Sequence, residues 1–352
     1  MTINEQIIDY ILKQIRSNYL DDIDLLVCYG SQVTGNATEL SDVDLFYIPR
    51  TKNQSLSRTF ILNGIGYDIF PLSWETIEAI ASFKNELSPL LGDSKILHCY
   101  SPIEENRFKQ LFNQMNDHLA SSDYMQAAAI RPMTEAVQLN NTVQQESTLN
   151  NVREHAAHLL ISLSTAVGYM NQAYFHKGLK EHYQELEAFR KLPLDFTELY
   201  RKTAAANTIA ELQASCHSLV ERTATFVGYD QTDQVPSQEP ISATEPAQEN
   251  YHQAARWYEE CSCTFNKIYH CGKTGNSLLA FLTAANLQAS LKQDLQLKLE
   301  TTDLLSSYAI DNLDALLKQT RKIQQDCKER ILNGNGSIKE FQTIEELYNY
   351  FD

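Results

Sequence analysis

The chain has 352 residues, too many for one small core and enough for two or three domains. Its formal net charge is −16, with 43% hydrophobic and 21% charged residues, which is a globular composition and disfavours broad nucleic-acid binding, since that needs a basic surface. The chain has only 12 glycines and 9 prolines, which favours helices over turn-rich β structure. Its seven scattered cysteines suit a reducing cytosol better than a disulfide framework.

The N-terminal MTINEQIIDYILKQI carries Ile7, Ile8, Ile11, Leu12 and Ile15 at helical spacing and lacks the apolar core of a signal peptide. Ile23 to Tyr29 is an apolar run ending on Gly30-Ser31, the pattern of a buried strand entering a turn. Val43 to Ile48 reads as a second strand, stopped by Pro49. Arg58 to Leu62 and Ile65 to Leu72 flank Asn63-Gly64 and predict a hairpin. Ser73 is placed to cap a helix through Phe83, and Lys95 to Tyr100 gives one more strand.

After Pro102 the pattern is helical almost throughout: 103–119, 124–145 with a kink or boundary at Pro132, 148–176, 179–190 and 208–227. Residues 229–250 hold Pro236, Pro240 and Pro246, several acids and neither lysine nor arginine, which predicts a mobile linker. Helical patterns resume over 251–270, 276–293 and 308–332; Asn333-Gly334-Asn335-Gly336 ends the last, with a short terminal helix after it. No run reaches the roughly 18 apolar residues of a membrane span, so a cytoplasmic protein is expected. The expected fold is α+β, with a small mixed-sheet domain over 1–102, a helical domain over 103–228, the linker at 229–250 and a C-terminal helical module over 251–352.

The chemistry is concentrated in YGSQVTGNATELSDVDLFYIP, residues 29–49. Side chains alternate along a strand, so Asp42 and Asp44 point one way while Val43 and Leu45 point into the core. Two carboxylates side by side repel, and divalent cations make them tolerable. Gly30 lacks the Cβ that would block backbone approach to a phosphate. Ser31 adds a hydroxyl and an N–H, and a helix starting there offers its positive end. A third carboxylate, Asp68, lies in the apolar run GIGYDIFPL, where Gly66, Asp68 and Phe70 share a face. If that strand lies beside the Asp42–Asp44 strand, Asp68 completes a metal site.

These residues resemble the DNA polymerase beta-like nucleotidyltransferase superfamily, whose pattern is Gly-Ser, then Asp-hydrophobic-Asp, then a third acid on a later strand. Gly35 and Ser41 add the GSxxxG…SDxD form of its bacterial antibiotic-modifying and minimal members. The resemblance covers roughly the first 100 residues. It departs at Thr34, where many minimal members carry arginine, so a triphosphate contact is missing or supplied from elsewhere. The resemblance implies two Mg²⁺ ions, an NTP such as ATP, and in-line attack on the α-phosphate. Asp42 and Asp44 would bridge both metals, and Asp68 would hold the acceptor-side metal or act as base. The order of a small catalytic domain and then helices is similar to the drug-modifying branch, such as streptomycin and kanamycin adenylyltransferases.

The helical part offers weaker signals. Lys177 and Lys180, three apart and following Tyr174, are candidate nucleotide-binding cations for the triphosphate; the alternative is a solvated basic face. Glu135, Glu146 and Glu154 are candidate bases, and the segment from Ile103 to Gly228 is the expected wall of the acceptor site. Cys271-Gly272-Lys273-Thr274 imitates the end of a P-loop, but Lys267 stands where the earlier glycine belongs, so it reads as a helix-ending turn. Cys261, Cys263, His270 and Cys271 cluster without a second CxxC pair and read as buried or idle thiols on a helix.

The expected partners are an NTP and a small-molecule or protein acceptor, without a membrane, and nothing in the pattern fixes an oligomeric state. The leading expectation is transfer of AMP to a hydroxyl of a small molecule such as an antibiotic. The alternatives are transfer to a protein or a tRNA, and a non-catalytic nucleotide-binding module. The acidic balance disfavours tRNA, and the presence of all three acids disfavours a non-catalytic role.

Overall fold

The computed structural model describes residues 2–35, 42–51, 56–230 and 249–351. The chain divides into two compact units, one formed by Met1–Ala120 with Ile338–Asp352, the other by Ser121–Ser337.

The first unit opens with α1 (Ile3–Gln14), whose start is fixed by a capping box: Thr2 Oγ1 accepts from the Glu5 amide, and the Thr2 amide donates to Glu5 Oε2 at 2.7 Å. A π-helical turn, Ile15–Tyr19, follows. Then come β1 (Ile23–Tyr29), α2 (Ser31–Thr34), β2 (Asp44–Pro49), β3 (Arg58–Leu62), β4 (Ile65–Pro71), α3 (Trp74–Ala81), α4 (Pro89–Gly92), β5 (Ser94–Cys99) and α5 (Pro102–Ala120). Asn63 and Gly64 both have positive φ, 52° and 75°, as a two-residue hairpin turn of the primed kind requires. Ser73 caps α3 as expected, accepting from the Thr76 amide.

β1 runs antiparallel to β2 with Tyr29 opposite Asp44, and β2 runs parallel to β4 with Leu45 opposite Ile69. One face of the sheet buries Leu26, Cys28, Leu45, Tyr47, Tyr67 and Ile69 against Ile7, Ile11 and Ile15 of the N-terminal helical segment. Transfer of that apolar surface out of water is the main stabilisation of this layer. The opposite face carries Tyr29, Phe46 and Phe70, whose rings lie 5.9 to 6.4 Å apart.

The second unit is helical: α6 (Ser122–Gln145), α7 (Leu149–Met170), α8 (His182–Glu187), α9 (Phe196–Ala205), α10 (Ile209–Val227), α11 (Tyr251–Thr274), α12 (Ser277–Gln293) and α13 (Asp314–Asn333). Its centre is α7, whose Ala156, Leu159, Leu160, Leu163, Ala166 and Val167 are fully buried. Buried Arg153 ties α7 to two connections, donating to the carbonyls of Leu305 (2.7 Å), Tyr308 (3.0 Å) and Ala206 (3.1 Å). Pro132 is buried inside α6 without ending it, so no boundary falls there. The helix expected over 148–176 stops at Met170 because Gln172 takes a φ of 55° and the Asn171 side chain bonds the Val167 and Lys191 carbonyls. α9 has no counterpart in the sequence reading. α11 ends at Thr274 with Gly275 at φ 69°, which makes Cys271 to Thr274 its last turn. Of the expected linker, residues 231–248 lie outside the described residues.

The chain then returns to the first unit. β6 (Glu340–Phe341) adds to β3 in parallel, and α14 (Ile344–Phe351) packs Leu347 into the α1 side of the core. The sheet order is β5-β1-β2-β4-β3-β6. The first unit therefore ends at Ala120, not near residue 102, and reclaims residues 338–352 from the expected C-terminal module. A mixed sheet followed by helices is the α+β class expected. Among the described residues no helix is long and apolar enough to cross a membrane.

Candidate active site

Asp42, Asp44 and Asp68 are half-buried, while their strand neighbours Val43, Leu45 and Ile69 are buried in the core. Strand alternation thus sends Asp44 and Asp68 to the face that carries Tyr29, Phe46 and Phe70, and Asp42, just ahead of β2, is near enough to bear on Tyr29 by its charge. The β2–β4 pairing decides this: Leu45 faces Ile69 in parallel register, so the preceding residues, Asp44 and Asp68, lie side by side on adjacent strands. Neither strand alone determines that neighbourhood.

Gly30 adjoins them. It takes φ 73° and ψ −146°, a region essentially reserved for glycine, and caps the short helix α2 that Ser31 begins. A Cβ at residue 30 would stand 3.1 Å from Asp44 Cγ and closer still to Oδ2. The missing side chain is the space the Asp44 carboxylate occupies. Thr34 closes α2, its hydroxyl donating to the Gly30 carbonyl at 3.2 Å. Ser41 lies outside the described residues.

Two site residues were not singled out by sequence reasoning. Thr59, buried on β3, donates its hydroxyl to Asp68 Oδ1 at 2.9 Å. A two-residue turn at Asn63-Gly64 pairs 59 with 68, so hairpin arithmetic was the signal that would have found it. Asn4 of α1 is buried, accepts from the Tyr67 hydroxyl at 3.0 Å and donates to the Asp42 carbonyl at 3.3 Å. Its signal was a polar residue on the apolar stripe of Ile7 and Ile11.

Electrostatics tie the acids together. Burial pushes the Tyr29 hydroxyl far above its ordinary range, and the negative charges of Asp44, Asp42 and Asp68 push it further, so the phenol keeps its proton. Burial and then Asp44 push the Cys28 thiol up to about 11, against the pull of Lys95. Asp24, also on β1, differs: it is buried and accepts the Trp74 indole N–H at 2.9 Å, a structural role.

A metal fits this site in kind. Three carboxylates are hard oxygen donors of the sort Mg²⁺ takes, and the cradle at Gly30 leaves one of them room. Among the described residues, however, no three His, Cys, Asp or Glu side chains stand close enough to form a ready-made ligand set.

The helical candidates separate. Lys177 and Lys180 fall in the turns between α7 and α8, not on a helix face. Lys177 pairs with Glu181 and Lys180 is exposed. Glu146 is engaged by the Ser147 and Thr148 amides at the start of α7, which hold its carboxyl below the usual range against the opposing effect of burial. Glu154 is buried and pairs with Lys292 at 2.7 Å and Gln288 at 2.6 Å. Both are structural acids, and of the three candidates only Glu135 is exposed.

Residues 8–117 match the nucleotidyltransferase domain, and residues 105–233 match the KNTase C-terminal domain. The chain belongs to the nucleotidyltransferase superfamily. The two matches of this nucleotidyltransferase overlap within α5. A nucleotidyltransferase-like protein from Exiguobacterium sibiricum has a similar solved structure, 12% identical, covering 62% of this chain and 76% of its own, with a TM-score of 0.39. No curated protein sequence matches the chain.

Proposed function

We propose that this nucleotidyltransferase moves AMP from ATP to a hydroxyl of a small acceptor of the antibiotic kind, with Asp42, Asp44 and Asp68 as its catalytic acids. The observation that supports this is the β2–β4 register, which sets Asp44 beside Asp68 next to Gly30-Ser31, with Asp42 just ahead of β2 and all three charges bearing on Tyr29. Two Mg²⁺ ions held by Asp42 and Asp44, with Asp68 on the acceptor side, would polarise the α-phosphate and neutralise charge in the transfer. Asp68, oriented by Thr59, accepts the proton of the attacking hydroxyl as its oxygen bonds the α-phosphorus and the bond to the β-phosphate breaks, releasing pyrophosphate. Gly30 leaves the Asp44 carboxylate its place, and Ser31 offers its hydroxyl and N–H to phosphate oxygens.

The match of residues 105–233 to the KNTase C-terminal domain favours a drug-like acceptor over a protein or a tRNA. The charge of −16 suits a cationic one. The test is incubation with labelled ATP and Mg²⁺ against aminoglycosides, lincosamides and lysate proteins. Label should appear on a drug and fall by at least about a hundredfold in Asp42→Asn/Asp44→Asn. Label on a protein would move the acceptor class. Transfer that persists in the double variant would overturn the assignment of the acids.

A further inference from the structure

We propose that Asn4 is a positioning residue of the active site: its carboxamide fixes the main chain of Asp42, and through it the direction in which that carboxylate meets a divalent metal. This rests on the reading of Asp42 as a metal ligand given above. Asn4 sits in the first turn of α1, which the Thr2–Glu5 capping box holds in place. Its Nδ2 lies 3.3 Å from the Asp42 carbonyl, and its Oδ1 lies 3.0 Å from the Tyr67 hydroxyl.

The directions of both bonds are forced. A backbone carbonyl only accepts, so the amide NH₂ must face Asp42; Oδ1 then faces Tyr67, whose hydroxyl must donate. Tyr67 immediately precedes Asp68 on β4 and points to the opposite face of the sheet. The bridge therefore joins the strand of one acid to the main chain of another, through the core. Asp42 itself precedes β2, whose ladder with β1 begins at Asp44.

An apolar side chain at position 4 would continue the stripe of Ile7 and Ile11 and would serve the core better. Burying an amide is unfavourable unless both its ends are bonded, and here one end is spent on Asp42. A planar carboxamide between a phenol and a peptide carbonyl tolerates little rotation, so it locks the Asp42 peptide plane. Asp would be nearly isosteric but would set a carboxylate against the Asp42 carbonyl.

Asn4→Leu, Asn4→Asp and Tyr67→Phe should be compared with the wild type by calorimetric titration of Mn²⁺ in the presence of ATP. Thermal unfolding should be measured on the same proteins without metal or nucleotide. Asn4→Leu, which extends the apolar stripe, should keep its unfolding temperature while Mn²⁺ affinity falls about tenfold, and Asn4→Asp should lose at least as much. Tyr67→Phe should lose about threefold, and this loss should vanish in the Asn4→Leu background because the two act through one bridge. Unchanged Mn²⁺ affinity in either folded single variant, Asn4→Leu or Tyr67→Phe, overturns the proposal, as does a loss that follows the unfolding temperature alone. Tyr67→Phe decides the matter if Asn4→Leu does not fold. A wild type that binds no Mn²⁺ with ATP would instead bring down the metal reading itself.

Discussion

A methyl group at position 30 has nowhere to go. The backbone there lies in a region that costs other residues on the order of 1–3 kcal/mol, and the added carbon would meet the Asp44 carboxylate. Gly30→Ala should therefore displace Asp44 or twist the turn, and either shift moves by about an ångström an acid to which we assign a catalytic role. A displacement of that size costs about a hundredfold in rate. The expected result is a folded protein whose transfer of labelled AMP falls by about that factor. Near wild-type transfer would mean that Asp44 does not need its place against residue 30. Thr59 belongs to the same scale: a hydroxyl on the neighbouring strand decides where Asp68 points, and its identity is fixed only by the hairpin register.

Among the elements, the turns and short helix around α8 carry a titratable group with an unusual setting. His182 is stacked on Phe175 with ring centroids 4.0 Å apart, and its buried Nε2 has no hydrogen-bond partner among the described residues. Burial lowers its pKa from 6.5 to about 4. Between those values the unfolded chain binds a proton that the folded unit refuses. The stability tied to the neutral ring is therefore whole above pH 6.5 and drains as pH falls towards 4, by on the order of 3 kcal/mol at most. Thermal unfolding followed over that range should fall more steeply in the wild type than in His182→Phe, whose ring stacks without titrating. Parallel profiles for the two proteins would remove His182 from the account.

At the scale of the whole molecule, the first unit is discontinuous in sequence. The Ile61 amide donates to the Lys339 carbonyl at 2.7 Å and the Asn63 amide to the Phe341 carbonyl at 3.0 Å. Tyr10 stacks on Tyr348 at 4.5 Å, and Phe341 and Leu347 are buried. A chain ending at Gly336 loses all of these, and with Phe341 and Leu347 alone roughly 3–6 kcal/mol of apolar burial. Hydrogen exchange should show β3 and α1 losing protection in that truncated chain while α7 keeps its own. Unchanged protection at Ile61 and Asn63 would show that the terminal segment is dispensable. Any deletion meant to isolate the catalytic unit has to retain residues 338–352.

What the sequence determined by itself was local. The apolar run of β1, the alternation of Asp42 and Asp44 with Val43 and Leu45, the turn at Asn63-Gly64 and the cap at Ser73 each follow from side-chain period, φ preference or a single hydrogen bond. Those signals were enough to recognise a nucleotidyltransferase pattern. Other features were decided only in three dimensions. The β2–β4 pairing sets Asp68 beside Asp44, the two residues of β6 find β3 across most of the chain, and Glu154 is taken by Lys292 and Gln288. Strand order and edge pairing depend on which faces are buried together, and a carboxylate's availability depends on what packs against it. Neither quantity is carried by the residue or its near neighbours, so both wait on the tertiary structure.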